Sequence, residues 1–448
     1  MRQLAMALAD GAPANRLKMF ARAAIDECGD RLSSKVLTQA ANTKALQNAE
    51  RDLLSLLRQC GMTIPIRSTL LTFGVNKVEI PCLCLKTWWP YLLSSQPSFV
   101  LGGFERGPLS KLLLETYWKN MEVIAPDHAI FLNNDRPLDC CVPFFLHLDE
   151  GVGQRKKAVL VINAQTMFGQ ETASRYMDFY SSCRGRTTED AQMCMSHAMF
   201  HASRGSTYTS RFLVSAIAKK NYAKKNDDVF VGLLDLLAEE CSSLFESGVE
   251  IRGKTYYPVR MGLKGDAPAL AKAGFFSRYF GTMRKNKGCC FECMAGFDGY
   301  DFEDVSPTAS WIDTIGLERP WRPNRVSPLS RIPSQIYKPE GFYKKDPFHV
   351  FKQSLGGYFL ASSIVVLGCD LGIFTFHAGQ STAVQNVLDR AHEDYDYYMK
   401  YEWRGKNNSH LKSFTKETFH FPKVASYPYA RFKGGDCMML LRWLRHLV

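Results

Sequence analysis

The sequence contains no run of about 18 apolar residues, which is the length that a membrane-spanning helix needs. Its most apolar stretch, FLASSIVVLGCDLGIFTF at 359–376, is interrupted by Gly368 and Asp370 and predicts a buried core helix instead. The first residues, MRQLAMALADG, hold an apolar run of about five residues, too short for a secretory signal. We therefore expect an intracellular protein that does not contact a membrane.

Three patterns that would indicate other enzyme classes are also missing. The stretch HLDEGVGQRKK lacks the GxxxxGK[ST] spacing of a phosphate-binding loop and does not open a helix, which argues against an NTPase. No Ser/His/Asp or Cys/His set stands out for a metal-independent hydrolase. The 14 cysteines come without a secretory signal, so we expect free or metal-bound thiols in a reducing compartment.

The composition is that of a folded, basic protein. The chain has 448 residues, 46% of them hydrophobic and 22% charged, enough for two or three domains or for one domain with large insertions. A net charge of +12 fits either a basic soluble protein or one that contacts a polyanion such as nucleic acid. The basic residues form four clusters: GQRKKAV (153–159), AKKNYAKKN (218–226), RYFGTMRKNKG (278–288) and YKKD (343–346). Aromatic residues are interleaved in the last three clusters, as base stacking would require.

Three regions follow one another along the chain. Residues 1–60 are rich in Ala, Leu, Arg and Lys and predict a helical amino-terminal extension. Residues 61–139 predict a mixed helical adaptor region, and residues 140–448 predict the core. Within the core, an irregular insertion rich in Cys and Pro is expected at about 285–345.

The core region predicts a mixed α/β sheet flanked by helices. CCVPFFLHLDEG and KKAVLVINAQTMFG read as the first two strands, and SRFLVSAIAKK reads as a third strand, with a helix as the alternative. VFVGLLDLLAEECSSLFESGVEI has helical spacing, and KTYYPVRMGL then supplies a fourth strand before the helix of KGDAPALAKAG. Three strands followed by alternating helices and strands favour a mixed sheet.

Acidic residues stand at three boundaries between these elements. Asp149 ends the first strand, Asp266 follows the fourth, and Asp346 precedes a later helix. Each alone could be a turn residue or a helix cap. Together, carboxylates from neighbouring strand ends repel one another unless a cation such as Mg²⁺ or Mn²⁺ lies between them. Asp266 could serve both roles, because one oxygen can cap the helix while the other binds an ion.

A second candidate metal site is the Cys290-x-x-Cys293 pair in GCCFECMAG. One such pair is half of a structural Zn²⁺ site, and His349 on the following helix is the most obvious further ligand. A redox pair is an alternative, although no thioredoxin-like context surrounds it. Two buried free thiols are the other alternative.

Four segments carry a resemblance to a known group of proteins. VPFFLHLDEG, LKGDAPALAKAG, CCFEC and DPFHVFKQSLGGYFLASSIVVL resemble an uncharacterised, multicopy, mobile-element-type protein family of protist genomes, over a region from about residue 80 to the end. The same layout is more distantly similar to DDE/D transposases of the CACTA and Plavaka kinds. The resemblance implies an RNase H-like core and a nuclear protein that acts on DNA; a homo-oligomer is left open.

The resemblance also implies roles for single residues. Asp149 matches the first acid of such transposases and Asp266 the second. Cys290 and Cys293 match the C-x-x-C, and His349 matches the histidine. The last acid would be Asp346 or Glu393, the latter lying on a following helix.

The implied activity is divalent-metal-dependent cleavage and strand transfer at a DNA phosphodiester, in an active or a degenerate copy. Two Mg²⁺ or Mn²⁺ ions would clamp the attacking and leaving oxygens. The alternative is a non-enzymatic nucleic-acid-binding or scaffold protein derived from a mobile element, in which the acids have no chemical role.

Overall fold

The structure is a computed structural model that describes most of the chain from residue 66 onward. Apart from a few isolated positions, the described ranges are 66–132, 136–152, 158–183, 187–199, 207–223, 227–279, 290–316, 325–337, 339–346, 356–374, 383–403, 410–421, 427–430 and 434–447. The helical extension expected over 1–60 lies almost wholly outside these ranges.

The described strands and the longer helices alternate irregularly along the chain. In order they are β1 Thr69–Phe73, β2 Val78–Cys82, α1 Leu85–Ser95, α2 Pro108–Ile124, β3 Cys141–Val152, β4 Ala158–Thr166, α3 Glu171–Ser182, α4 Thr188–Met199, β5 Arg211–Ala218, α5 Asp227–Ser247, β6 Val249–Ile251, β7 Lys254–Gly265, α6 Ala267–Gly274, β8 Tyr343–Lys345, α7 Gly356–Val365, α8 Val384–Tyr397 and α9 Gly434–Leu447. Shorter helical turns occur at Pro97–Val100, Ala129–Leu132, Leu138–Cys140, Thr207–Ser210, Lys219–Asn221, Ile312–Thr314, Pro328–Arg331, Pro339–Phe342, Val366–Asp370 and Tyr398–Glu402.

The centre of the molecule is a six-stranded mixed sheet in the order β5-β4-β3-β7-β6, with β8 also paired to β7. Neighbouring strands run antiparallel from β5 through β4 to β3. From β3 through β7 to β8 they run parallel. The carboxyl ends of these three parallel strands consequently meet at one edge of the sheet.

A close backbone approach at Gly262 allows β8 to join the sheet. The β3–β7 register shifts at this point, from Phe144 opposite Arg260 to Leu146 opposite Leu263. A Cβ atom on Gly262 would lie 2.8 Å from the backbone oxygen of Phe342, just before β8. Only glycine therefore fits here without displacing the edge strand.

One hydrophobic core joins the sheet to helices from the region 61–139. Trp89 of α1 packs edge-on against Phe144 of β3, with ring centroids 5.0 Å apart. The indole N–H of Trp118 in α2 donates to the backbone oxygen of Cys141 at 2.8 Å. Both tryptophans belong to the buried cluster that contains the strands. The β1–β2 hairpin, which the sequence pattern does not predict, adds to this cluster.

Helices α7, α8 and α9 form a second hydrophobic cluster. Leu360, Leu388 and Trp443 are fully buried within it. The Trp443 indole donates a hydrogen bond of 2.7 Å to Asp394, which ties α9 to α8.

The expected α/β class, with a mixed sheet flanked by helices, is confirmed. The first, second, third and fourth predicted strands correspond to β3, β4, β5 and β7, and the long predicted helix is α5. None of the described helices is both long and apolar enough to traverse a bilayer.

Three details of the expected core are wrong. Strand β3 does not end at Asp149 but continues to Val152, because its last residues pair with β4. Helices α3 and α4 lie between the second and third strands, where the sequence pattern predicts none. The expected insertion at 285–345 ends in a strand, β8, that completes the parallel part of the sheet.

Candidate site at the carboxyl ends of three parallel strands

The register between β3 and β7 brings Asp149 and Asp266 side by side on neighbouring strands. The last paired residues are Leu148 on β3 and Gly265 on β7. Asp149 and Asp266 are the next residue of each chain segment, and both remain extended. Because neighbouring strands lie about 4.8 Å apart, the two backbones are adjacent at this point.

Asp266 caps helix α6. Its backbone is extended, and its Oδ1 accepts the backbone N–H of Ala269 at 2.7 Å. Pro268 in the first turn reinforces the helix start, since proline is favoured where a backbone N–H has no helical partner. Capping is therefore an actual role of Asp266, and it fixes one carboxylate oxygen at the edge of the sheet.

Asp346 is the third acid at this edge. Its preceding residue, Lys345, pairs with Gly265 across the parallel β7–β8 ladder. The backbone N–H of Asp346 then donates to the oxygen of Gly265 at 3.2 Å. The pairing therefore aligns Leu148, Gly265 and Lys345 across β3, β7 and β8. The residue that follows each of them is one of the three acids, Asp149, Asp266 and Asp346.

Glu393, the other candidate for the last acid, has a different setting. It is exposed on α8. The buried residues of that helix pack in the second hydrophobic cluster, with α7 and α9. Among the described residues, Asp346 is the third acid that strand pairing itself brings to the edge.

A row of polar side chains leads along one sheet face to the acids. His147 lies two residues before Asp149 and therefore on the same face of β3. Across β4, its Nδ1 is 3.3 Å from the amide nitrogen of Asn163. On the other side, it pairs in register with Lys264 of β7, which lies two residues before Asp266.

Electrostatic interactions link this row to two of the acids, Asp149 and Asp346. Burial lowers the pKa of His147 to about 4, and Arg211 adds to the effect, while Asp149 and Asp346 oppose it. Burial also lowers the pKa of Lys264, and Asp346 again acts in the opposite direction. At neutral pH the row therefore presents an uncharged imidazole between cationic side chains and two carboxylates.

Cys290 and Cys293 form a compact thiol turn next to β8. A hydrogen bond from Cys293 lowers the pKa of Cys290 to about 6, and the positive charge of Lys345 assists it. The backbone N–H of Glu292 donates to the Cys290 sulfur at 3.2 Å. Arg278 holds the turn by donating to the backbone oxygens of Cys290 and Cys293. A thiolate favoured near neutral pH is the ligand form that Zn²⁺ needs.

The remaining predicted ligand, His349, lies outside the described residues. Within the described part of the chain, no three His, Cys, Asp or Glu side chains are grouped so that they could hold a metal ion. The strand pairing thus aligns the backbones of Asp149, Asp266 and Asp346, but their carboxylates do not form a ready-made metal site. Asp266 already uses one of its oxygens as a helix cap.

Two aromatic residues expected to stack on bases are buried instead. Tyr222 in AKKNYAKKN is fully buried and donates its hydroxyl to Glu150 at 2.5 Å. Tyr343 in YKKD is buried in β8, with its ring 4.7 Å from that of Phe276. The interleaved aromatic pattern reflects packing at these two positions.

The chain matches no protein-family model, no curated protein and no solved structure. The resemblance to mobile-element proteins therefore remains a prediction that rests on the quoted segments.

Sequence reasoning missed the polar row that accompanies the acids. His147 and Lys264 each stand two residues before a predicted acid, in LHLDEG and LKGD. In an extended strand this spacing places His147 on the same face as Asp149, and Lys264 pairs in register with His147. The alternation along the strands could have revealed His147 and Lys264 from the sequence. Arg211 could not be found in this way, because the pairing of β5 with β4 brings it to the row.

Proposed function

We propose that the protein is a transposase-related nuclease with an RNase H-like core that cleaves, and joins strands at, DNA phosphodiesters with the help of divalent ions. One observation carries the proposal: Asp149, Asp266 and Asp346 follow three neighbouring parallel strands in a common register. Acids from distant parts of a chain rarely meet at one sheet edge for structural reasons alone, because like charges repel.

The strand order supports the RNase H-like assignment. In such a sheet the first and fourth strands are neighbours, so that their acids meet. Leaving aside the three-residue β6, β3 and β7 are the first and fourth strands of this sheet and pair in parallel. The order of elements thus agrees with the resemblance.

The donor chemistry at this edge fits Mg²⁺ or Mn²⁺. Asp149, Asp266 and Asp346 offer carboxylate oxygens, which hard divalent cations prefer. When bound, two such ions would activate a water or a 3′-hydroxyl and stabilise the leaving oxygen of the phosphodiester. The chain's own contribution is to hold the three acids at fixed positions of the β3, β7 and β8 ends.

The polar row would position the scissile strand. Lys264 and Arg211 lie in the same electrostatic environment as the acids and would attract a phosphate. His147, uncharged at neutral pH, could hydrogen-bond to the strand without adding repulsion against the ions.

We assign the thiol turn a structural role in the same proposal. Cys290 and Cys293 would hold Zn²⁺ together with His349, and the turn would brace β8 through Lys345 and Glu292, whose ion pair spans 2.6 Å. The proposal routes no chemical step through this zinc.

A second candidate function is a non-enzymatic nucleic-acid-binding or scaffold protein derived from a mobile element. One observation favours it: no ready-made group of three metal-binding side chains exists among the described residues. The net charge of +12 would then account for the affinity for DNA.

The test is cleavage of labelled single- and double-stranded DNA with Mn²⁺ or Mg²⁺ by the full chain and its variants. We expect Asp149→Asn and Asp346→Asn to reduce cleavage to background while DNA binding is retained. Asp178→Asn, on the exposed surface of α3, is the matched control and should cleave like the wild type.

The outcomes separate the two functions and the two third acids. Unchanged cleavage by Asp149→Asn would rule out the nuclease proposal. DNA binding without cleavage, equal in wild type and variants, would support the scaffold. Loss of cleavage in Glu393→Gln but not in Asp346→Asn would make Glu393 the third acid.

A further inference from the structure

A separate cavity of about 240 Å³ opens beside the polar row. Its walls come from helix α2, from the residues after it up to His128, from Phe145 of β3, and from the segment that leads into β8. Pockets for drug-sized ligands have volumes of about 300 Å³ or more, so this cavity suits a smaller group.

Flat and polarisable side chains dominate the lining. The rings of Tyr117, Phe145 and Phe342 contribute to it, together with the thioethers of Met121 and Met261. Aromatic rings and methionine sulfur both pack well against a planar heterocycle. The lining therefore favours a ring system over an aliphatic chain.

Two buried polar side chains of the cavity lack hydrogen-bond partners within the described structure. They are the Tyr117 hydroxyl and His128 Nε2, in residues that are 8% and 3% exposed. His128 Nδ1 accepts the backbone N–H of Ile130 at 3.2 Å, which assigns the ring proton to Nε2. Nε2 is consequently a donor, and native structures leave few buried donors unpaired.

Positive charge adds to these donors. Lys344 lines the cavity, and burial lowers the pKa of its ammonium group, with Glu292 acting in the opposite direction. Behind the wall, the Arg260 guanidinium stacks 3.8 Å from the centre of the Phe342 ring, and two of its nitrogens have no hydrogen-bond partner among the described residues. Donors and cations together select a ligand that carries acceptors, such as ring carbonyls.

The cavity lies close to the candidate site. Phe145 is four residues before Asp149 on the same strand and face, a distance of about 13 Å along β3. The Lys264 ammonium, 4.4 Å from the centre of the Phe145 ring, lies between the cavity and the acids. A nucleic-acid strand that passes the acids could reach the cavity with a neighbouring nucleotide.

We propose that this cavity binds one carbonyl-bearing nucleobase, supplied either by a free nucleotide or by an unstacked base of a DNA strand. The DNA source rests on the proposed function, whereas the free nucleotide does not. Extrusion of a base from a duplex costs least where the base is unpaired, so an unpaired thymine is the sharpest probe.

The experiment measures fluorescence anisotropy of three labelled duplexes with the full chain in buffer without Mg²⁺ or Mn²⁺, which prevents metal-dependent cleavage and leaves the zinc of the thiol turn in place. One duplex carries a single unpaired thymine, one carries an abasic residue at the same position, and one is fully paired. We expect the thymine duplex to bind about tenfold more tightly than the abasic duplex, in line with the contribution of stacking a single base. Calorimetry with thymidine monophosphate tests the free nucleotide.

Three variants locate the effect. Met121→Trp fills the cavity and should remove the preference for thymine over the abasic residue. Val123→Trp, on the same helix but 84% exposed, should keep it. Tyr117→Phe removes a hydroxyl that has no hydrogen-bond partner among the described residues and should fold normally, so it tests the cavity even if Met121→Trp does not fold.

Each outcome is decisive. A thymine preference lost in Tyr117→Phe and kept in Val123→Trp supports binding of a strand base. Thymidine monophosphate binding that is lost in Tyr117→Phe, without duplex discrimination, supports the free nucleotide. Equal binding of all duplexes and no binding of the nucleotide overturns the proposal, even if the protein cleaves DNA; base binding without cleavage would instead overturn only the nuclease.

Discussion

Asp266 has one observed role, as a helix cap, and one proposed role, as a metal ligand, and substitutions at this position can separate them. The carboxylate caps α6 through the N–H of Ala269, and the same residue lies beside Asp149 on the neighbouring strand. The stretch MGLKGDAPALAKAG taken alone favours the cap, and its spacing from LHLDEG and from Cys290-x-x-Cys293 is what points to a metal ligand. The strand register places Asp266 beside Asp149, which supports the proposed role as a metal ligand and leaves the cap in place.

We predict that Asp266→Asn preserves stability and abolishes metal-dependent cleavage. Asparagine caps a helix as well as aspartate does, but it is a poor ligand for a divalent ion. Asp266→Ala should lose cleavage as well, and its free energy of unfolding should fall by about 1 kcal/mol. Urea unfolding and the cleavage assay check both variants. Full cleavage by Asp266→Asn would leave the residue with the cap alone.

At the residue scale, the sequence was sufficient to pick out Asp149, Asp266 and Asp346. It could not show how they meet, because that depends on pairing between strands far apart in the chain. Asp149 illustrates the limit: it follows the last β3–β7 pair yet lies inside β3, whose final residues pair with β4. The end of the apolar run therefore marks the end of the pairing between β3 and β7, whereas the strand itself continues through its pairing with β4.

At the scale of elements, β8 decides whether the third acid reaches the site. Strands β3, β4 and β7 are apolar and rich in β-branched or aromatic residues, so their sequences predict them. β8 is only Tyr343–Lys345, and two of its three residues are lysines. Its conformation comes from pairing with β7, a tertiary effect that a local pattern does not reveal.

We predict that Gly262→Ala displaces β8, so that the protein still folds, with a moderately lower free energy of unfolding, but loses nearly all of its cleavage activity. The new Cβ would lie 2.8 Å from the backbone oxygen of Phe342, so the edge strand must shift. We expect a loss of about 1–3 kcal/mol in the free energy of unfolding, as overpacking usually costs, with cleavage near background. Gly151→Ala is the matched control on β3, because an added Cβ there meets no atom within 4 Å among the described residues other than its chain neighbours. Equal cleavage by both variants would contradict the role given to β8.

At the scale of the whole molecule, the sheet and its core gather three acids, a thiol turn and a base-sized cavity around one region. Helices α1 and α2 pack in the same hydrophobic core as the sheet, although they precede the sheet strands in the sequence. Part of the positive charge of the chain, on Lys264, Lys344 and Arg260, lies next to the acids and the cavity. The proposed nuclease depends on this convergence.

The central claim is that Asp149, Asp266 and Asp346 share divalent ions, and Mn²⁺ titration followed by electron paramagnetic resonance tests it most directly. The full chain, first given one equivalent of Zn²⁺ for the thiol turn and then freed of unbound Zn²⁺, should bind Mn²⁺, because an excess of Zn²⁺ would compete for the carboxylates. Asp149→Asn and Asp346→Asn should lose that binding, while Asp178→Asn should match the wild type. Wild-type protein that binds no Mn²⁺, or an Asp149→Asn variant that binds it unchanged, would contradict the account.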